Sequence, residues 1–413
     1  MNPYRALLAG NRNYRLLWIG QIVSQLGDWF NSVAIYALLL ELTGSATSVA
    51  LMIIVQFLPM AVIGPVAGVV VDRVNRRRLM IGADVLRGML ILFLLLVRRA
   101  DQVWIVYVVM GATVSLTAFF EPARTAVIPN VTTRAQLLTA NALSSATWSA
   151  MLAIGAGAGG VVTALFGRNV AFLVNALSFL ASAAIIARTA FDADPPESKR
   201  PAGWASITGI GDLIEGIRYV RSDRHVAALM LVKAGWGMAG GVLLLMTVFG
   251  ERVFPIGGSA AAGIGVLYAA RGVGAGFGPI LARAWLGQRP EQMRRAIVPS
   301  YLLVAVFYLM LSSAPDIGWA SLAIVGSHAA GSVLWVFSTV LLQMSVPDRF
   351  RGRVFSAELA LLMIISAISS YACGYALDRY GVSPFVLTRA MGMLFILPAF
   401  GWWWMEQRSH GAD

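Results

Sequence analysis

Charged residues are scarce in this chain of 413 residues. They make up 13% of the sequence, whereas hydrophobic residues make up 58% and the mean hydropathy is +0.73. A soluble domain carries about 25% charged residues, so the composition excludes a chain that folds mainly in water. The deficit predicts a protein whose surface faces the hydrocarbon of a membrane.

Lysine, cysteine and histidine are also rare. Only Lys199 and Lys233 are lysines among 32 basic residues, and the single Cys373 excludes an internal disulfide. No Cys/His spacing is typical of a zinc site, so we expect neither a metal nor a cofactor. The formal net charge of +12 comes mostly from arginines in short loops. That pattern is typical of membrane topology rather than of nucleic-acid binding, so no nucleic acid partner is expected.

The sequence contains instead a series of long apolar runs. Polar breaks divide it into twelve, at residues 15–40, 46–71, 79–98, 103–127, 139–166, 169–190, 226–250, 260–284, 296–313, 318–346, 354–378 and 382–405. A helix of about 20 apolar residues crosses roughly 30 Å of hydrocarbon. The runs therefore predict an all-α membrane protein with twelve transmembrane helices.

An internal repeat divides these spans into two halves. Gly278–Arg283, at the end of the eighth run, echoes Gly68–Arg73 at the end of the second, at an offset close to half the chain length. Duplicated halves are common in transporters. We therefore expect two six-helix bundles, at residues 1–190 and 226–413.

The interval 191–225 is the longest polar stretch between runs. It begins with a Pro-rich, charged segment that is typical of a disordered linker. Apolar residues then recur at helical spacing over 207–221, which predicts an amphipathic helix on the membrane surface. We expect this linker to be cytoplasmic.

Arginines concentrate in alternate loops between the runs. Most of the 32 basic residues lie on one side, for example in 73–78, 191–225 and 349–353. Positively charged loops stay in the cytoplasm. We therefore expect cytoplasmic N- and C-termini and a location in a bacterial-type cytoplasmic (inner) membrane.

The loop after the second run carries the motif Gly68-Val-Val-Val-Asp72-Arg73-Val-Asn-Arg76-Arg77-Arg. Five charges in a tight loop cannot lie in hydrocarbon, so this is a water-facing hairpin. The pattern resembles the loop 2–3 signature of the major facilitator superfamily, in which Gly68, Asp72, Arg73, Arg76 and Arg77 fall on motif positions. The resemblance implies a transporter of two six-helix halves, in which this loop is a cytoplasmic gate latch against the eleventh span.

Other charged residues would extend this latch. Glu358 opens the eleventh run, where it is well placed to receive Arg73 or Arg353. Asp84 and Arg87 are one turn apart on the third span and could pair; their position beside the loop favours a gate or structural role. Asp378, at the far end of the eleventh run, could act similarly on the outer side.

Two further stretches narrow the resemblance. Residues 347–355, Pro-Asp-Arg-Phe-Arg-Gly-Arg-Val-Phe, and residues 120–129, Phe-Glu-Pro-Ala-Arg-Thr-Ala-Val-Ile-Pro, resemble one exporter branch. That branch includes enterobactin exporters and macrolide-efflux proteins. The resemblance implies export and does not indicate the substrate.

Ionisable side chains inside apolar runs are rare and costly, so each one is a candidate for function. Asp28, in the first run, could face a substrate and carry a proton. It could instead be a structural aspartate bonded to Asn31 or to a neighbouring helix. Glu121, near the cytoplasmic end of the fourth run, is a second carboxylate candidate.

Three basic candidates lie in the second half. Lys233 and Arg271 could hold an anionic substrate or pair with Asp28, although Lys233 is close enough to the cytoplasmic face to snorkel. His328 could relay protons, or it could be a packing residue.

The fifth run contains the small-residue pattern Gly155-Ala-Gly-Ala-Gly159-Gly160. It resembles the antiporter motif of the family, G-P-x-x-G-G, with Ala156 in place of the proline. Small residues allow close helix packing. Loss of the proline removes a fixed kink, so the support for antiport is weaker than a full match would provide.

Together these features predict a secondary transporter, in the first place a proton-coupled exporter of amphipathic or drug-like molecules that works by alternating access. Its expected partners are the lipid bilayer, protons and an amphipathic or anionic small molecule, and we expect a monomer. Proton-coupled uptake of a small metabolite and translocation of a lysophospholipid or other lipid are the alternatives. The loops hold no paired carboxylates, His-rich cluster or nucleophile–base arrangement, so no enzymatic activity is expected.

Overall fold

The structure is a computed structural model. It describes residues 3–71, 73–190, 218–286 and 289–410. This part of the chain is almost entirely helical, and its one β feature is an isolated bridge between Ile256 and Ser259. Helices suit a membrane because each one satisfies its own backbone hydrogen bonds.

Seven helices cover the first half of the described chain. They are α1 (Pro3–Gly10), α2 (Arg12–Thr43), α3 (Ala46–Val71), α4 (Arg76–Leu92), α5 (Val103–Val131), α6 (Arg134–Phe166) and α7 (Arg168–Ile186). Asparagines cap two of them, because the side-chain oxygens of Asn11 and Asn75 accept hydrogen bonds from the backbone N–H groups of Tyr14 and Arg78.

Eight α-helices of at least 7 residues follow in the described part of the second half. They are α8 (Arg224–Gly237), α9 (Val242–Val248), α10 (Ala260–Leu286), α11 (Pro290–Leu311), α12 (Ile317–Ser345), α13 (Asp348–Tyr380), α14 (Pro384–Leu394) and α15 (Ile396–His410). Asp223 and Asp316 cap α8 and α12. The predicted amphipathic helix at 207–221 lies mostly outside the described residues. Its described part, 218–221, is helical.

Within the described residues, eleven helical segments are long and apolar enough to cross a membrane. Helix α2, which contains the predicted span 15–40, is not among them, although its 32 residues would measure about 48 Å at 1.5 Å per residue. Its central stretch carries Gln21, Gln25, Asp28 and Asn31, which lower its hydropathy. Eleven of the twelve predicted spans are thus supported by length and composition.

The predicted span 226–250 contains a break. Helix α8 ends at Gly237 and α9 begins at Val242. The Ser369 hydroxyl on α13 donates to the Met238 carbonyl oxygen at 2.7 Å and accepts from the Gly241 N–H at 3.1 Å. Backbone groups at such a break must find other partners in an apolar environment, and Ser369 supplies them.

By its contacts, the chain divides into two compact units. The first comprises Met1–Gly44 and Val55–Thr208, and the second comprises Ser45–Ile54 and Gly209–Asp413. Helix α3 therefore belongs to both units. The predicted first bundle, 1–190, includes residues 45–54, which the contacts group with the second unit.

In the first unit, α2 packs against both α6 and α7. Two of the small residues predicted for close packing lie at the α2–α6 contact. A Cβ atom built on Gly155 would lie 2.9 Å from the Trp29 Cβ, and one built on Gly159 would lie 2.7 Å from the Phe30 Cα. Gly160 is buried on the same helix. Only glycine allows the two backbones this separation.

Candidate functional site

A cavity of about 490 Å³ lies among the helices of the first unit. Its lining residues come from three helices: Gln21, Gln25, Asp28, Trp29 and Ser32 from α2; Thr117, Glu121 and Arg124 from α5; and Ser144, Ser145 and Trp148 from α6. Most of the spacings within each set are three or four positions, which places the residues on one side of their helix. A concave site with a few convergent polar groups is typical of small-molecule binding. We call it the first-unit cavity.

Asp28 lines this cavity with a carboxylate that accepts no hydrogen bond from the residues that the structure describes. Its backbone carbonyl accepts the Ser32 hydroxyl at 2.8 Å, but the side chain faces the open volume. The bond to Asn31 that sequence reasoning left open is not observed, since Asn31 donates instead to the Met110 sulfur at 3.4 Å. Asp28 is therefore the acidic residue of the lining whose carboxylate has no partner among the described residues, whereas Glu121 has one.

Glu121 and Arg124 form an ion pair at the wall of the cavity. The Glu121 Oε2 accepts from the Arg124 Nη2 at 2.7 Å and from the Nε at 3.3 Å. The Arg124 Nη1 donates to the Gln21 side-chain oxygen at 3.0 Å, and Gln21 donates to the Ser144 carbonyl at 3.2 Å. This chain of hydrogen bonds connects α5, α2 and α6.

Two tryptophans provide the apolar part of the lining. Trp29 and Trp148 meet edge to face, with their ring centroids 6.3 Å apart. Paired indole rings offer a large apolar surface with polar edges. The cavity thus combines one open carboxylate, one internal ion pair and an aromatic wall.

The predicted pairing of Asp84 with Arg87 is observed behind the cavity. Both side chains are buried, and they form an ion pair on α4. The Arg87 guanidinium lies 4.4 Å from the ring centroids of both Phe120 and Phe179, and it donates to the Thr117 hydroxyl at 3.3 Å. Because Thr117 also lines the cavity, this buried pair supports the cavity wall from within the bundle.

In the second unit, Lys233 on α8 pairs with Glu358 on α13. The Nζ and Oε2 atoms are 2.8 Å apart, and the two side chains are 5% and 1% exposed. The ammonium also lies 4.7 Å from the Trp335 ring centroid. This pairing differs from the predicted one, in which Glu358 receives Arg353 or a loop arginine; the Arg353 guanidinium lies above the Phe350 ring at 6.0 Å. Lys233 reaches Glu358 because α8 and α13 pack together.

Arg271 and His328 occupy the same unit. Arg271 on α10 is half-buried, with its guanidinium 6.0 Å from the Tyr268 ring centroid. The His328 Nδ1 lies 3.1 Å from the Ile324 carbonyl oxygen, and its ring meets Trp236 edge to face. These contacts suit a packing histidine. The pairing of Arg271 with Asp28 stays a prediction.

Two arginines of the 68–78 loop donate to backbone carbonyls of neighbouring helices. The buried Arg76 donates to the Ala126 carbonyl of α5 at 3.3 Å, and Arg77 donates to the Ile186 and Ala187 carbonyls at the end of α7. Arg77 thus lies at a helix carboxyl end, where carbonyl groups lack partners and a cation is stabilising, whereas Ala126 lies within α5. In this structure both arginines therefore act within the first unit.

Two other loop positions give less information about the predicted latch. Gly68 is half-buried, and a Cβ built on it meets no described atom within 4 Å. Arg73 is exposed, and Asp72 lies outside the described residues.

The family model for the Major Facilitator Superfamily matches residues 17–359, which is most of the chain. The chain belongs to the Major Facilitator Superfamily. The resemblance seen in the loop motif is confirmed, and the protein is a membrane transporter rather than an enzyme.

Other transporters are similar over nearly the whole chain. Macrolide efflux protein A of Streptococcus pyogenes is 24% identical over 380 residues, which cover 90% of this chain and 91% of that protein. The putative bacilysin exporter BacE of Bacillus subtilis (strain 168) is 25% identical, with 87% of each chain covered. The solved structure of the peptide transporter POT in complex with sulfate has a TM-score of 0.76 at 12% identity, and covers 96% of this chain and 95% of that one. This last likeness shows the fold alone.

In this Major Facilitator Superfamily protein, sequence reasoning identified Asp28 and Glu121, the two acidic residues of the cavity, but missed three of the polar residues that line it with them. Gln21 and Gln25 were not predicted, although with Asp28 they mark a polar face on an otherwise apolar helix. Arg124 was also missed as a site residue, although it lies one turn from Glu121. Helical spacing of polar residues was the signal that could have found all three.

Proposed function

We propose that this transporter is a proton-coupled exporter of amphipathic small molecules, working by alternating access. The observation that carries the proposal is the open Asp28 carboxylate in the first-unit cavity, whose lining also contains an aromatic wall. An ionisable group within a membrane bundle is costly unless function requires it. Asp28 can bind and release a proton where the cavity holds the substrate.

Export is the direction that the relatives support. Of the two relatives named above, one is an efflux protein and the other is a putative exporter, and each is similar over most of this chain. The aromatic wall of Trp29 and Trp148 suits a substrate with an apolar body. We propose Asp28 as the proton carrier and Glu121 as part of the site that positions Arg124.

We further propose twelve spans, with α2 as the twelfth beside the eleven apolar ones. Its polar residues face the cavity or neighbouring helices instead of lipid, which explains its lower hydropathy. The arginine-rich loops support cytoplasmic termini in a bacterial cytoplasmic membrane. We propose that the monomer is the working unit.

Proteoliposomes with an imposed pH gradient test the function. Wild-type protein should move the macrolide erythromycin in the direction opposite to the protons. Asp28→Asn should abolish this coupled movement because the amide cannot carry a proton. The matched control is Asp101→Asn, which changes an exposed loop carboxylate paired with Arg99 and should transport normally.

Each other outcome argues against a named part of the proposal. Movement of erythromycin in the same direction as the protons would indicate uptake. Transport of a lysophospholipid probe without erythromycin transport would favour lipid translocation. Unchanged coupled flux in Asp28→Asn would exclude Asp28 as the proton carrier.

A further inference from the structure

The first-unit cavity presents hydrogen-bond acceptors that lack donors. The Asp28 carboxylate lines it and receives no hydrogen bond from the described residues. Gln25, one turn earlier on α2, also lines the cavity, but its Oε1 is buried away from the open volume and has no hydrogen-bond partner in this part of the chain. The Asp28 carboxylate is therefore the acceptor that a ligand can reach. A ligand with N–H groups would satisfy it, since an acceptor that loses water without gaining a donor is costly.

Arg124, the basic residue of the cavity, already has protein hydrogen-bond acceptors. All three nitrogen atoms of the Arg124 guanidinium donate to protein acceptors, two to Glu121 and one to Gln21. An anionic ligand would have to displace these bonds. With Glu121 neutralised by Arg124, the remaining formal charge on the lining is the single negative charge of Asp28. The site therefore favours a cation over an anion.

The aromatic wall lies next to this charge. Trp29 immediately follows Asp28 in the chain, and its ring contacts that of Trp148. Indole faces attract cations as well as apolar groups. A ligand with a positive head and a flat apolar body therefore matches the lining at both ends.

We propose that the first-unit cavity binds a protonated primary or secondary amine on an aromatic body, with its N–H groups bonded to the Asp28 carboxylate. This inference rests on the proposed function, because it takes the cavity to be the substrate site. It differs from the anionic substrate suggested by Lys233 and Arg271, and of these two residues Lys233 is already neutralised by Glu358.

Isothermal titration of the purified full-length protein with four related probes tests the proposal. The probes are naphthylethylamine, its trimethylammonium derivative, naphthylethanol and naphthylacetate, which share one aromatic body. A hydrogen bond to a charged group changes affinity by about tenfold to a hundredfold. We expect the amine to bind more tightly than the alcohol by that factor. The acetate should bind most weakly.

Variants and probes test the Asp28 contact. Asp28→Asn should lower the affinity for the amine by about tenfold to a hundredfold and leave that for the alcohol unchanged. The trimethylammonium probe, which has no N–H group, should bind wild-type protein more weakly than the amine does. Asp101→Asn should bind all four probes as wild type does. If Asp28→Asn does not purify as folded protein, the comparison of the four probes on wild-type protein still decides.

Equal binding of the amine and the alcohol, or tightest binding of the acetate, would overturn the inference. An equal loss of amine and alcohol affinity in Asp28→Asn would also overturn it. Transport assays separate this failure from failure of the proposed function. If the protein transports erythromycin in a proton-coupled manner but shows no preference for the amine, the proposed function holds and the amine site is excluded. If the protein binds the amine but shows no coupled transport, the binding site holds and the proposed function is excluded.

Discussion

The carboxylate of Asp378, at the end of α13, caps the start of α3 beside Ser45. It accepts the Ser45 hydroxyl at 2.7 Å and the backbone N–H groups of Ala46 and Thr47 at 2.9 and 2.8 Å. The first N–H groups of a helix have no partner within their own helix, and a negative charge complements their partial positive charge. Gly374 allows the approach, since a Cβ built on it would lie 3.0 Å from the Thr47 Cα. Residues 45–54, which begin at this cap, group by their contacts with the second unit.

Asp378→Ala should lower the thermal stability of the purified protein. Loss of a capping side chain costs about 0.5–2 kcal/mol, and here three hydrogen bonds are lost together. Asp101→Ala, which removes an exposed loop carboxylate, is the matched control in the same melting experiment. Equal melting temperatures for the two variants would show that the cap contributes nothing to stability.

Removing either member of the Lys233–Glu358 pair should destabilise the second unit strongly. Glu358→Gln leaves a buried ammonium without its counter-charge, which costs about 3–5 kcal/mol when a buried pair is broken. The double variant Lys233→Met, Glu358→Met should melt at a higher temperature than either single variant, because no buried charge remains. Additive losses in the double variant would mean that the two residues act independently.

Gly159→Ala should disturb the packing of α6 against α2. The new Cβ would lie 2.7 Å from the Phe30 Cα, and forcing atoms into a packed contact costs about 1–3 kcal/mol. Gly82→Ala is the control, since a Cβ at Gly82 meets no described atom within 4 Å. A melting temperature for Gly159→Ala at or above that of Gly82→Ala would contradict the packing described here.

Asp72→Asn tests the proposed gate role of the 68–78 loop. The substitution should slow coupled transport in proteoliposomes while the protein still inserts and purifies normally, because the amide keeps the shape and loses the charge. Asp101→Asn again provides the matched control. A well-inserted Asp72→Asn protein that transports at the wild-type rate would exclude the latch.

Local patterns in the sequence predicted the helical architecture because the hydrocarbon imposes a length and a polarity on every span. They predicted the Asp84–Arg87 pair for the same kind of reason, since two residues three positions apart on a helix are neighbours. Asp28 and Glu121 stood out because a carboxylate in an apolar run is costly. Each of these inferences depends only on residues close together in the chain.

The sequence by itself determined that this is a helical membrane protein of the Major Facilitator Superfamily, through its apolar runs and its loop motif. Only the tertiary structure decided which distant groups meet. Lys233 finds Glu358 across two helices, and Gln21, which sequence reasoning missed, joins Arg124 on another helix. The physical reason is that a buried charge needs a partner but does not specify which one. Helix packing makes that choice, and packing depends on side-chain shape along the whole contact.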